Sequence, residues 1–121
     1  MKAPMSDKLQ ALLAEYVAKV KSIYAEKLAR VILYGSYARG DYTPESDIDI
    51  MILVNGNHDE ACAKNDALAS MTYDFDMEHD VYVEYSARSK RYFDYWHKAH
   101  PFYQNVSREG IVVYESTFIQ E

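Results

Sequence analysis

Two pairs of residues in the first half of the sequence have the types that phosphoryl-type chemistry requires. Gly35 and Ser36 follow an apolar run, and Asp47 and Asp49 lie two positions apart where the next apolar run begins. A glycine turn lets backbone N–H groups and the serine hydroxyl approach phosphate oxygens closely. Paired carboxylates hold hard cations such as Mg²⁺. The two pairs therefore predict a site that binds a nucleoside triphosphate together with a divalent metal.

The apolar runs on either side must bring these pairs together. Residues 30–34 and 48–54 are almost entirely apolar and are bounded by turn residues, so each predicts a buried strand. Side chains alternate along a strand, which places Asp47 and Asp49 on one side. Read separately, each pair has a plainer explanation, because Gly-Ser turns are common and aspartates on an edge strand can face solvent. Two like charges inside an apolar strand favour the functional interpretation.

The segment from Gly35 to Asp49, with Ala38-Arg39-Gly40 between the two pairs, resembles the signature of the polymerase-β-like nucleotidyltransferase superfamily. Within it, the chain is similar to the short, single-domain minimal nucleotidyltransferases. Residues 100–106 and 109–114 also resemble the end of such domains. The resemblance implies an α/β (α+β) fold of the polymerase-β-like nucleotidyltransferase type, a mixed β-sheet flanked by helices.

The resemblance also implies a third carboxylate on a neighbouring strand, which completes the metal site and helps to deprotonate the attacking hydroxyl. The candidate strand is residues 80–85, where Asp80 and Glu84 share one face. Asp80 is the predicted third acid because it opens that strand, and Glu84 is the alternative. The predicted catalytic and metal-binding set is therefore Asp47, Asp49 and Asp80. A solvated strand end with a surface charge is the competing explanation for Asp80.

Nucleotide binding is predicted for Gly35, Ser36 and Arg39. Arg39 has a planar donor group that suits phosphate oxygens, but an ion pair with Asp41 explains it equally well. Ser46 either orients Asp47 or belongs to a turn.

The resemblance implies an Mg²⁺-dependent transfer of AMP from ATP to a tyrosine of a HEPN-domain toxin, which gives the chain an antitoxin role. Two alternatives remain open. One is a catalytically weak nucleotide-binding module that neutralises its partner by occlusion. The other is a nucleotidyltransferase that modifies a small molecule such as an aminoglycoside, which is disfavoured because no acceptor-binding domain is visible.

Composition narrows the functional classes. The 121 residues suit one nucleotidyltransferase domain over residues 1–121. The chain has 19 acidic against 13 basic residues and a formal net charge of −6, which argues against binding to duplex nucleic acid. A single cysteine, Cys62, suits a reducing cytoplasm. Charged residues interrupt the N-terminal region, so neither a signal peptide nor a membrane span is predicted.

The remaining segments predict the other elements. Apolar residues at three- and four-residue spacing from Leu9 to Tyr24 predict a first helix with Ser6 as its N-cap. Further helices are predicted over residues 59–73, 87–97 and 102–108, and a last strand over residues 111–114. Aromatic side chains concentrate in residues 92–97, which either pack on the sheet or form a partner surface.

Overall fold

Four strands form one mixed sheet in a computed structural model that describes residues 5–116. The strands are β1 (Leu28–Tyr34), β2 (Ile48–Val54), β3 (Val83–Ser89) and β4 (Ile111–Glu115). The helices are α1 (Asp7–Tyr24), α2 (Gly35–Arg39), α3 (His58–Cys62), α4 (Asn65–His79), α5 (Lys90–Trp96) and α6 (Pro101–Glu109), and a 3₁₀ turn (Ala25–Lys27) joins α1 to β1. The predicted mixed sheet flanked by helices is confirmed.

The order across the sheet is β3, β2, β1, β4. β1 pairs antiparallel with both β2 and β4, and β2 pairs parallel with β3. The two apolar runs around the Gly-Ser turn are therefore adjacent strands, as predicted. Asp49 on β2 is the register partner of Tyr34 on β1 and of Glu84 on β3.

The sheet has two unlike faces. Helices α1 and α4 cover the face that we call the closed face, and their buried side chains pack on alternate strand residues such as Val31, Ile50 and Ile52. The opposite side, which we call the open face, carries a smaller cluster under α5 and α6. That cluster consists of Ile32, Met51, Leu53, Phe93, Tyr103 and Val106. Asp49 and Glu84 share the open face because side chains alternate along each strand.

Polar caps set the helix boundaries, and some differ from the predictions. Ser6 caps α1 as predicted, accepting a hydrogen bond from the Leu9 N–H at 3.1 Å. The helix predicted over residues 59–73 is two helices, because an Asn57 capping box begins α3 and a second helix begins at Asn65. The helix predicted over 87–97 begins only at Lys90, after Ser89 caps it by accepting from the Tyr92 N–H. Residues 87–89 belong to β3.

None of the helices that the structure describes combines the length and the apolar character needed to cross a membrane.

Candidate active site

The Gly-Ser turn lies directly against the first strand carboxylate. Gly35 has φ +72°, a left-handed conformation that glycine adopts without strain. A Cβ atom at this position would lie 2.1 Å from Asp49 Oδ2, closer than any side chain could tolerate. The residue must therefore be glycine both for its backbone angle and for the close approach of Asp49. The turn leads at once into α2, and Gly40 ends that helix in a left-handed conformation with φ +88°.

The Asp49 carboxylate lies in an environment that disfavours its charged form. Partial burial raises its pKa above the usual aspartate value, and the charges of Glu84 and Asp47 raise it further. Arg39 acts in the opposite direction. Asp49 therefore has two acidic neighbours and one basic neighbour.

Asp47 precedes the first residue of β2, and its charge acts on Asp49 as their shared side predicts. The donor atoms here are all carboxylate oxygens, the ligands that Mg²⁺ prefers. Their mutual repulsion is also the electrostatic condition that a bound cation relieves. The ligand chemistry of these residues therefore suits a divalent metal, although in residues 5–116 the potential ligand atoms of Asp47, Asp49 and Glu84 do not all lie within 4.8 Å of one another.

Asp80 does not open a strand, and that part of the prediction was wrong. Helix α4 continues to His79, and Asp80 is its C-cap with φ +52° and ψ +50°, donating its N–H to the Asp76 carbonyl. Aspartate tolerates this left-handed position better than most residues, which accounts for its presence. β3 begins only at Val83, so Glu84 is the acid that pairs in register with Asp49. Glu84, and not Asp80, is among the charges that shift the pKa of Asp49.

Arg39 and Ser46 make local contacts. The Arg39 Nε donates to Asp41 Oδ2 at 3.2 Å, and its Nη1 donates to Glu109 Oε2 at 3.3 Å. The ion pair with Asp41 that the sequence suggested is therefore present, and it holds Arg39 beside the turn. Ser46 belongs to a turn, because its Oγ accepts from the Thr43 N–H at 2.9 Å.

Tyr34 is a site residue that the sequence interpretation missed. It is the last residue of β1 and pairs with Asp49. Burial raises the pKa of its phenol, the Asp49 charge raises it further, and the nearby Ser86 side chain opposes the rise. Its ring meets the Phe102 ring edge-on at a centroid distance of 5.8 Å. The strand register, with Tyr34 directly before Gly35, was the signal that could have identified it.

A second group of side chains that could bind a metal lies away from this site, on α1 and α4. In residues 5–116, the side chains whose potential ligand atoms all lie within 4.8 Å of one another are Glu15, Glu78 and His79, on α1 and α4. The His79 ring is already bonded to the Glu15 carboxylate. We assign no metal to this helix surface, because exposed acids of this kind commonly occur without one.

Sequence comparison places the chain in a family. Residues 13–112 match the nucleotidyltransferase domain family. A relative from Methanocaldococcus jannaschii, named protein adenylyltransferase, is 35% identical over 106 residues, covering 83% of this chain and 92% of the relative. A second protein from that organism, with the same kind of name, is 54% identical over 43 residues, covering 36% of this chain and 43% of its own.

Solved structures share the fold at lower identity. A nucleotidyltransferase from Sulfolobus solfataricus superimposes with a TM-score of 0.56 at 24% identity, covering 89% of this chain and 81% of that one. A toxin-antitoxin structure with AMP-PNP gives a TM-score of 0.56 at 23% identity, covering 85% and 73% of the two chains. The toxin-antitoxin pair MntA-HpeT gives 0.56 at 21% identity with the same coverage. The chain thus belongs to the nucleotidyltransferase domain family, and it is a nucleotidyltransferase.

Proposed function

We propose that this enzyme transfers AMP from ATP to a tyrosine hydroxyl of a partner toxin of the HEPN class, with Mg²⁺ as its cofactor. The observation that carries the proposal is the contact between the Gly35 turn and the Asp49 carboxylate, which has Glu84 beside it in register. A phosphate-binding turn and a pair of facing acids are the parts that nucleotidyl transfer needs.

Donor binding falls to the turn. The N–H groups of Gly35 and Ser36 and the Ser36 hydroxyl bind the triphosphate, since no side chain at position 35 obstructs the approach. Arg39, held beside the turn by Asp41 and Glu109, supplies positive charge to the phosphates. In this proposal the α-phosphorus lies next to Asp49.

Asp47, Asp49 and Glu84 are the proposed metal ligands. When bound, Mg²⁺ neutralises the phosphate charge and aligns the attacking and leaving oxygens. Glu84 lies on the edge strand β3 and is more exposed than Asp49 on β2. We therefore also propose it as the acceptor of the tyrosine proton. The tyrosine oxygen attacks the α-phosphorus, the bond to the bridging oxygen breaks, pyrophosphate leaves, and the tyrosine proton passes to a Glu84 oxygen.

Relatives support the nature of the donor and the acceptor. The curated relatives are named protein adenylyltransferases, and two of the solved neighbours are toxin-antitoxin assemblies, one of them with AMP-PNP. The in-register third carboxylate favours catalysis over neutralisation by occlusion alone, because occlusion gives no reason to keep Glu84 in register with Asp49. We propose that residues 1–121 act as one domain in the cytoplasm, where ATP and Mg²⁺ are supplied.

The experiment is co-expression with the product of the neighbouring gene, followed by intact-mass measurement of the partner with ATP and Mg²⁺. The partner should gain one or more AMP groups, and a chelator should prevent the gain. Glu84→Gln should slow the transfer by about 10²–10⁴-fold, the range typical for loss of a general base. Asp80→Asn is the matched control, and it should transfer AMP like the parent.

Three results would contradict parts of this proposal. Loss of transfer in Asp80→Asn with normal transfer in Glu84→Gln would restore Asp80 as the third acid. A stable complex whose partner never changes mass would favour occlusion. Modification of an aminoglycoside in place of the partner would favour the small-molecule alternative.

A further inference from the structure

A cavity of about 670 Å³ lies beside the active site, between α5, α6 and the end of β3. Its walls include the rings of Tyr95, Trp96 and Phe102, together with the arginines Arg88 and Arg91. Among residues 5–116, no aspartate or glutamate lines it, although the chain carries 19 acidic residues. The volume falls within the range of specific ligand sites, which is roughly 300–1,000 Å³.

The two arginines of the cavity differ in their ion pairing from two arginines elsewhere in the molecule. Arg30 and Arg39 are each ion-paired with a carboxylate. Within residues 5–116, neither Arg88 nor Arg91 has a carboxylate oxygen within 4.0 Å. The Arg91 charge acts at longer range on Glu60, but neither cation makes a close ion pair in the described residues. Two cations free of close ion pairs, set among aromatic rings, form a surface complementary to a ligand that is both aromatic and acidic.

Two structural links connect the wall of the cavity to the strands that carry the acids. Tyr34 pairs with Asp49 on one side, and its ring contacts Phe102 of the cavity wall on the other. Along β3, Arg88 follows Glu84 by four residues on the same face, a separation of about 13 Å at the usual rise per residue. A ligand that reaches from Glu84 into the cavity therefore spans about four extended residues.

Strand order assigns the cavity to one substrate. The phosphate-binding turn follows β1, Asp49 lies on the central strand β2, and both Glu84 and Arg88 lie on β3. The donor triphosphate occupies the β1 side of Asp49, so the β3 side remains for the acceptor. The cavity lies on the acceptor side, on the same strand as the proposed proton acceptor and about four residues along from it.

We propose that this cavity binds the partner protein at a segment next to its acceptor hydroxyl. The segment is extended, and it carries an aromatic and an acidic side chain about four residues from the modified residue. The aromatic side chain packs among Tyr95, Trp96 and Phe102, and the carboxylate binds Arg88 and Arg91. This inference rests on the proposed function, because it takes the acceptor to be a protein.

Trp96 is the single tryptophan of the chain, so its fluorescence reports on the cavity directly. The probe is an acetylated, amidated peptide in which a Phe-Asp pair lies four residues from a tyrosine, with glycine between. It should change the Trp96 emission saturably, and Arg91→Glu should weaken its binding at least about tenfold. Arg108→Glu is the matched control, since Arg108 is exposed on α6 outside the cavity wall and should bind the peptide normally.

Transfer to the whole partner gives the second measurement. Arg91→Glu should raise the KM for the partner about tenfold or more, while kcat and calorimetric binding of Mg²⁺-ATP stay as in the parent. A peptide with the Phe-Asp pair adjacent to the tyrosine should be a poorer acceptor than the peptide with the four-residue spacing.

The outcomes separate this inference from the proposed function. Peptide binding at Trp96 without any AMP transfer would leave the cavity assignment standing and overturn the proposed function. Equal transfer by Arg91→Glu and Arg108→Glu would overturn the cavity assignment alone. A Trp96 response to Mg²⁺-ATP that competes with the peptide would assign the cavity to the donor base, and a response to single-stranded RNA but not to peptide would assign it to a nucleic-acid acceptor.

Discussion

The two faces of the sheet are built from the same strands but serve different purposes. On β2, Ile48, Ile50 and Ile52 point to the closed face and are buried under α1 and α4. The alternate residues begin with Asp49 and continue with Met51 and Leu53, which α5 and α6 cover. The open face is therefore covered over the far end of β2 and left accessible where Asp49 and Glu84 lie. The alternation of side chains along β2 thus separates the core of the closed face from the site on the open face.

The difference shows where the molecule tolerates unfavourable charge. The closed face accepts almost no polar side chain, and two of its buried hydroxyls, those of Tyr16 and Thr72, are hydrogen-bonded to each other. The open face keeps Asp49 beside Glu84, although the Glu84 charge adds to the cost of ionising Asp49. Local stability is given up at one end of one face, and catalysis is the reason we propose.

The largest expected contrast between the faces is in stability. Phe75 on α4 is 1% exposed and packs edge-on against Tyr16 at 5.0 Å. Phe75→Ala should lower the free energy of unfolding by about 3–5 kcal/mol, because it opens a cavity in the closed face. Trp96→Ala, at a residue 38% exposed on α5, should cost less than about 1.5 kcal/mol. Urea unfolding measures both, and equal losses would show that the open face is as tightly packed as the closed one.

The next effect concerns activity at the open face. In Gly35→Ala, the added methyl group would lie 2.1 Å from Asp49 Oδ2, and alanine would have to adopt the left-handed backbone conformation of this position. AMP transfer should fall by about 100-fold, the loss expected when a reacting group is displaced by about 1 Å. The far-ultraviolet circular dichroism spectrum should stay that of the parent. Normal transfer by this variant would mean that the turn does not position the donor.

Much of this comparison was visible in the sequence, and the reason is local. Strand β2 and the Gly-Ser turn are determined by apolar runs and by a glycine, which act over a few neighbouring residues. The positions of Asp47 and Asp49 relative to that turn follow from the same short segment. The roles of Gly35, Ser36, Arg39, Asp47 and Asp49 remain predictions, and the Gly35→Ala variant tests the first of them.

The third acid was harder to place because it depends on register and on a helix end. Residues 80–85 alternate in the way a strand does, yet α4 continues to His79 and uses Asp80 as its cap. No short pattern shows that Glu84 pairs with Asp49, since β2 and β3 are parallel strands separated by two helices. The aromatic cavity likewise requires α5 and α6 to meet, which depends on tertiary packing.

A smaller contrast lies within the closed face, between two tyrosines of α1. The Tyr16 hydroxyl is hydrogen-bonded to Thr72 Oγ1 at 2.8 Å, whereas the buried Tyr24 hydroxyl has no partner in the described part of the chain. Burial raises the pKa of Tyr24 to about 12. Tyr16→Phe should cost about 1–2 kcal/mol, because it leaves the Thr72 hydroxyl unpaired. Tyr24→Phe should be neutral or slightly stabilising by thermal unfolding, and a loss equal to that of Tyr16→Phe would show that Tyr24 has a partner.

The smallest expected effect depends on pH. It concerns Asp76, an acid on the closed face, which we contrast with Asp49 on the open face. Burial raises the pKa of Asp76 on α4, while its Oδ1 accepts a hydrogen bond from the Val83 N–H at 3.1 Å, an effect that opposes the rise. A carboxyl whose pKa is higher in the folded protein binds its proton more tightly there. Its contribution to the free energy of unfolding is therefore greatest below the pKa of the unfolded state, near pH 4, and decreases as the pH rises through the pKa of the folded state.

Asp76→Asn keeps an oxygen that can accept a hydrogen bond from the Val83 N–H but removes the charge, so its gain in stability over the parent should be largest at neutral pH. Solvent screening should limit that gain to about 1 kcal/mol or less, and it should vanish near pH 3. Thermal unfolding measured across this pH range, in chelator so that no metal contributes, decides the point. A variant less stable than the parent at pH 7 would show that the Asp76 charge strengthens its hydrogen bond to Val83 by more than its burial costs. The closed face, like the open one, would then retain an acid because its charge is useful.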